Sequence, residues 1–146
     1  MSVRRGTEAD IPAIVEMSIE FWSHTAFDEP ACPESIRDMV ELCLSHGLLS
    51  VVDIDGPVGF AAGVMSPLLG NKTATIGTEL AWWVNPEHRS GTNGIRLLKH
   101  LEGLAKEAGI KYWCMAYMES SMPEKVKCMY EKMGYKKTES AYMRTL

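Results

Sequence analysis

The residues best placed to do chemistry lie in one run, Val84-Asn85-Pro86-Glu87-His88-Arg89-Ser90-Gly91-Thr92-Asn93-Gly94-Ile95-Arg96-Leu97-Leu98. Asn85-Pro86 stops a β-type segment, and the leucines after Gly94 begin a helical stripe. A loop that feeds a helix start leaves amide N–H groups unpaired, and the helix dipole adds partial positive charge there. Such a place binds phosphate or pyrophosphate. Gly91 and Gly94 let a ligand approach the backbone, and Arg89 and Arg96 add charge. The run is neither G-x-x-x-x-G-K-[ST] nor G-x-G-x-x-G, so it is not one of the nucleotide loops that those spacings build. Two other readings stay open on these residues alone. One is a surface loop whose glycines only turn the chain. The other takes Gly91-Thr92-Asn93-Gly94 as a G-x-x-G loop that clamps RNA, although a strand rather than a helix precedes it.

The elements that must hold this loop read as strands alternating with amphipathic helices. Ser2–Arg5 is a short strand. Thr7 as N-cap with Asp10 three residues on predicts a helix over 8–22, with Ile11, Ile14, Val15, Ile19 and Trp22 on one stripe. Pro33 opens a second helix and Gly47 ends it. Leu48–Ile54 and Val58–Met65 form a hairpin about Asp55-Gly56, and Ala74–Val84 is a further strand. A helix over 94–108 ends at Gly109, and Ile110–Tyr117 is a strand. Pro123 opens a last helix with Val126, Met129, Tyr130 and Met133 on one stripe. Gly134 stops it, and Tyr135–Thr145 supplies a final strand or hairpin. The order β-α-α-β-β-β-α-β-α-β implies an α/β (α+β) domain over residues 1–146. Its central sheet is mixed, mostly antiparallel, with helices on both faces.

With 146 residues, 46% hydrophobic and 23% charged, the chain has the composition of a globular domain, not of a disordered or collagenous one. A net charge of −4 argues against general nucleic-acid binding and suits an amine-bearing partner. Cys32, Cys43, Cys114 and Cys128 show no C-x-x-C spacing and the four histidines are scattered, so no metal site is expected and the thiols read as reduced and mostly buried. No apolar run reaches the ~18 residues of a membrane span. Met1–Arg5 lacks the apolar stretch of a signal peptide, which points to the cytoplasm.

Val84-Asn85-Pro86-Glu87-His88-Arg89, the run Arg89–Gly94 and the following Ile95-Arg96-Leu97-Leu98 resemble the GCN5-related N-acetyltransferases, whose signature is V-x-P-E-x-R, then R-x-x-G-x-G/A, then a leucine-rich helix. Tyr130-Glu131-Lys132-Met133-Gly134-Tyr135 resembles the family's Y-E-K-x-G-[FY], and the element order agrees over nearly the whole chain. Thr92 stands where the family has its first glycine. Ser120-Ser121-Met122-Pro123 lacks the asparagine often found before the tyrosine.

The resemblance implies acetyl-CoA as donor and a small-molecule or peptide amine as acceptor, with no nucleic-acid or membrane partner, and it leaves a homodimer open. It implies that pantetheine lies where two central strands part and pairs with Trp83 and Val84, and that the pyrophosphate sits on Arg89, Ser90, Gly91, Thr92, Asn93, Gly94 and Ile95. Tyr130 would protonate the leaving thiolate. Glu79 would take the amine's proton, directly or through water. His24, Asp28 and Glu29, between the first two helices, would meet the acceptor. Without the resemblance, Tyr130 on the stripe Val126-Met129-Tyr130-Met133 reads first as a core tyrosine, and Glu79 reads equally as a solvated carboxylate. A non-catalytic acyl-CoA-binding module on the same fold is the alternative.

Overall fold

A computed structural model describes all 146 residues. It divides into two compact units, residues 1–116 and residues 117–146. The first holds β1 (Ser2–Arg5), α1 (Ile11–Trp22), α2 (Pro33–His46), β2 (Leu48–Asp53), β3 (Pro57–Leu68), β4 (Asn71–Val84), α3 (Asn93–Glu107) and β5 (Tyr112–Cys114). The second holds α4 (Pro123–Lys132).

The five strands lie in chain order in one sheet. β1 to β4 pair antiparallel, with α1 and α2 between β1 and β2, and β5 pairs parallel to β4 after the α3 crossover. Period-2 alternation sends neighbouring residues to opposite faces, and two cores result. On one face Leu49, Val51, Phe60, Ala62 and Trp83 meet Ile11, Ile14 and Met17 of α1 and Val40 and Cys43 of α2. On the other, Leu48, Val52, Val58, Ala61 and Val84 meet Leu97, Leu101, Leu104 and Ala105 of α3. Full burial of one such leucine is worth about 1.5–3 kcal/mol, so α3 is fixed firmly against the sheet. No helix is long and apolar enough to cross a membrane.

Local signals set most boundaries. Asp10 accepts the backbone N–H of Thr7 at 2.8 Å, and the Asp10 N–H donates to the Thr7 carbonyl at 3.0 Å. A single 3-10 turn at Glu8–Asp10 then leads into α1. Asp55 and Gly56 carry the positive φ values of the β2–β3 turn. The β3–β4 hairpin runs further than the loop expected from Pro67, Gly70 and Asn71: Pro67 pairs with Thr75 and Leu68 with Asn71.

Three expectations are corrected. Tyr135–Thr145 forms no strand or hairpin. Its polar centre, Lys136-Lys137-Thr138-Glu139-Ser140, gives it no apolar face to bury. β5 spans Tyr112–Cys114 rather than Ile110–Tyr117, because its pairing with β4 ends there. Only Cys43 is buried; Cys32 and Cys128 are exposed and all four thiols are free.

Candidate functional site

β4 and β5 stay together for three pairs, Ile76↔Tyr112, Gly77↔Trp113 and Thr78↔Cys114. β4 then runs on to Val84 with β3 on one side and no strand on the other. At the parting point the β3 register slips: Ala62 faces Ala81 and Gly63 faces Glu79, leaving Leu80 as an extra residue. A bulge of this kind bends its strand, and here it bends β4 where β5 leaves it. Asn85 donates its N–H to the Val58 carbonyl at 2.9 Å. By antiparallel alternation, Trp83 therefore turns its backbone groups toward Phe60, while Trp82 and Val84 turn theirs to the open edge. This corrects one of the two expected pairing positions: the edge residues are Trp82 and Val84, not Trp83.

Past the edge, Pro86–His88 makes one 3-10 turn, and Gly91 has φ +87, a left-handed conformation that glycine adopts without cost. The loop is pinned from within. Asn93 donates Nδ2–H to the His88 carbonyl at 3.0 Å, and Arg89 donates Nε–H to the Val84 carbonyl at 2.7 Å. Arg89 is thus turned back to the strand end, its guanidinium 4.4 Å from the Trp83 ring centre. Thr92, the N-cap of α3, makes no side-chain bond to the helix, and the first turn holds no acidic residue. The amides of Asn93, Gly94 and Ile95 are those of an open helix start. Ser90, Gly91 and Thr92 are exposed beside them. A Cβ on Gly94 would sit 3.2 Å from Cζ2 of Trp82, so the missing side chain lets α3 begin against that indole.

Glu79 stands at the fork itself. It pairs with Gly63 and lies two residues from Gly77, which places it on the α3 face. That face is paved by the Trp113 indole, laid over both glycines; a Cβ on Gly77 would be 2.6 Å from the Trp113 Cε3. Glu79 is half-buried, and desolvation pushes its carboxyl up to about 7 against a backbone hydrogen bond from Ala116 that lowers it. The carboxylate therefore links β4 to the chain just beyond β5.

Trp83 gathers the α1–α2 loop and the loop after β4. His24 lies 5.4 Å from its ring, Phe21 meets it edge-on at 6.2 Å, and its Nε1–H donates to Asn85 Oδ1 at 3.0 Å. Asp28 and Glu29 are exposed in the same loop as His24. Trp22 holds that loop by stacking on Phe27 at 5.3 Å and donating Nε1–H to the Glu29 carbonyl at 2.7 Å. In the second unit, Tyr130 is buried on α4 with its ring 5.4 Å from that of Tyr135.

Sequence reasoning missed Leu80 as the bulge, Trp82 as an edge residue and the Ala116 amide. The one signal was a lapse of alternation, since Leu80-Ala81-Trp82-Trp83-Val84 is apolar throughout.

A family model described as the acetyltransferase (GNAT) family matches residues 12–135. Among solved structures, a transcriptional regulator from Bacillus halodurans is similar with TM-score 0.78 at 17% identity, covering 99% of each chain. An acetyltransferase from Trypanosoma brucei matches with TM-score 0.73 at 20% identity over 99% of each chain. Glucosamine-6-phosphate N-acetyltransferase from Arabidopsis thaliana matches with TM-score 0.74 at 14% identity, covering 99% of this chain and 97% of its own. These identities speak for the fold alone. No protein of curated function matches the sequence.

Proposed function

This chain belongs to the acetyltransferase (GNAT) family, and on that premise we propose that it moves an acetyl group from acetyl-CoA to a primary amine by direct attack. The observation that carries the reading is the pairing of a parted strand edge with an open helix start. The edge to which Trp82 and Val84 turn their backbone groups, away from β3, suits the amides of a pantetheine arm. The α3 start, with exposed Ser90, Gly91 and Thr92 beside it, suits a pyrophosphate.

Acetyl-CoA supplies an electrophilic thioester carbon and a thiolate that can leave. The chain must supply positions and protons. Glu79, poised near neutrality, takes a proton from the acceptor's ammonium, directly or through one water, and so frees the nitrogen lone pair. The nitrogen bonds to the carbonyl carbon, the carbon–sulfur bond breaks, the Tyr130 hydroxyl gives its proton to the sulfur, and the second proton lost from the nitrogen restores the phenol. His24, Asp28 and Glu29 border the acceptor's approach.

The test is release of CoA from acetyl-CoA across a panel of amines, followed over pH. kcat/KM should rise through a limb near pH 7. Glu79→Gln should remove that limb and lower kcat by about 10²-fold or more. Tyr130→Phe should lower kcat by about 10²-fold while acetyl-CoA affinity holds. An unchanged pH limb in the Glu79 variant would remove its role as base, and turnover within about twofold in the Tyr130 variant would reduce that residue to packing. Acetyl-CoA binding without CoA release on any amine would make the chain an acyl-CoA-binding module.

A further inference from the structure

A concavity lies on the opposite face of the sheet from α3, entirely within the first unit. It is a cleft of about 420 Å³ between α1 and α2. Phe21 and Trp22 form one wall, Ile36 and Met39 the other, and Phe60 and Leu80 the floor. Sites for small organic ligands run to ~300–1,000 Å³ and are mostly apolar with a few placed polar groups, so this cleft has the size and lining of a small one. The floor matters most. Leu80 is the bulge residue of β4, and it adjoins the open edge where the proposed acetyl donor would lie.

Charge gives the cleft its direction. Glu29 is at its rim. From Gly6 to Ile36 the chain carries seven carboxylates and neither lysine nor arginine. Asp10 is spent on Arg4 and Arg37 pairs with Glu41, and Glu29 is the one charged side chain that lines the cleft itself. An apolar body bearing one ammonium group matches both features. A polyhydroxylated amine would leave its hydroxyls unpaired against Phe21, Ile36 and Phe60, a penalty of about 1–3 kcal/mol for each buried polar group.

We propose that the acceptor is a primary amine on a compact aromatic or alkyl body, held in the α1–α2 cleft with Glu29 drawing its ammonium in and its nitrogen passing Leu80 to the parted β4 edge, where Glu79 of the other face reaches it through a water. This rests on the reading of the chain as an amine acetyltransferase and names the class of amine.

The experiment compares 2-phenylethylamine with ethanolamine, which share a two-carbon amine arm and differ in a phenyl ring against a hydroxyl. With saturating acetyl-CoA, kcat/KM should favour 2-phenylethylamine by at least about tenfold, the least that a filled apolar pocket contributes. Met39 is 46% exposed, so Met39→Lys keeps the fold while placing a cation in the cleft mouth. It should lower kcat/KM for 2-phenylethylamine by about tenfold or more, with the acetyl-CoA KM unchanged. Equal or better use of ethanolamine, or a Met39→Lys variant with no loss, would overturn the inference and leave acetyl transfer standing. If no amine is turned over, calorimetric titration of 2-phenylethylamine into the CoA-saturated protein decides. Binding that Met39→Lys weakens upholds the cleft assignment and removes the enzymatic reading; no binding removes both.

Discussion

The starts of α1 and α3 solve the same problem in opposite ways. Every helix begins with amides that have no partner within it. Ahead of α1 the chain closes its own end with a 3-10 turn, Glu8–Asp10, whose box leads into the helix. Thr7 and Asp10 exchange bonds, and Asp10, only 4% exposed, also receives Arg4 through both guanidinium nitrogens at 2.8 Å. Arg4 in turn reaches Asp53 at 2.6 Å, which ties the helix start to β1 and β2. At α3, Thr92 caps nothing, no carboxylate stands in the first turn, and a glycine occupies the second helical position. The first arrangement holds the fold and leaves nothing to offer. The second leaves donors and a close approach for an outside anion.

The largest expected effect lies at the closed end. Asp10→Ala removes one of the two carboxylates that hold Arg4 and opens the box, and should cost about 2–3 kcal/mol in urea unfolding. Acetyl-CoA affinity of the folded protein should hold. Arg4 keeps the folded Asp10 carboxyl below its ordinary range. Its stabilisation is therefore complete above the unfolded value, about pH 4, and fades as pH falls below it. Asp10→Asn should flatten that acid limb. A loss under about 1 kcal/mol would show that the cluster is a surface ion pair of ordinary weakness.

Next comes the open end. Gly94→Val brings a Cβ to 3.2 Å from Trp82 and two methyl groups into the anion's approach. Acetyl-CoA should bind at least about tenfold more weakly, ~1.4 kcal/mol, while the unliganded melting temperature moves by a few degrees. A collapsed melting temperature with unchanged affinity per folded molecule would make Gly94 a packing residue.

The smallest effect is the most pointed. Thr92→Asp gives α3 an acidic N-cap that can accept its first amides. The unliganded fold should gain about 0.5–1 kcal/mol, and acetyl-CoA should bind more weakly because a carboxylate now occupies the amides. Thermal melts with and without acetyl-CoA measure both signs at once. A variant that gains stability and keeps full affinity would place the pyrophosphate elsewhere.

Glu79 adds a third pH dependence of the opposite sign to that of Asp10. Its folded value, about 7, is above that of an exposed glutamate. Between about pH 4.3 and 7 the folded state holds the extra proton, so stability falls as pH rises through that window. Glu79→Gln should remove that slope.

What the sequence determined by itself is what neighbouring residues decide among themselves. The Thr7–Asp10 box, the Asp55-Gly56 turn, the Pro33 start and Gly47 stop of α2, and the loop running from Val84 into α3 each depend on a few consecutive residues. Tertiary structure alone decided what depends on partners far along the chain. The β4 bulge is a slip against β3, visible only when Gly63 meets Glu79. That slip and the Asn85–Val58 bond together decide that Trp82, not Trp83, offers its backbone at the edge. The high carboxyl value of Glu79 needs the walls that bury it. The cleft needs α1, α2, β3 and β4 at once. A strand's residues name its two faces, but which of its edges stays open is settled by the neighbour that fails to pair, and that neighbour is β5, about thirty residues away in the chain.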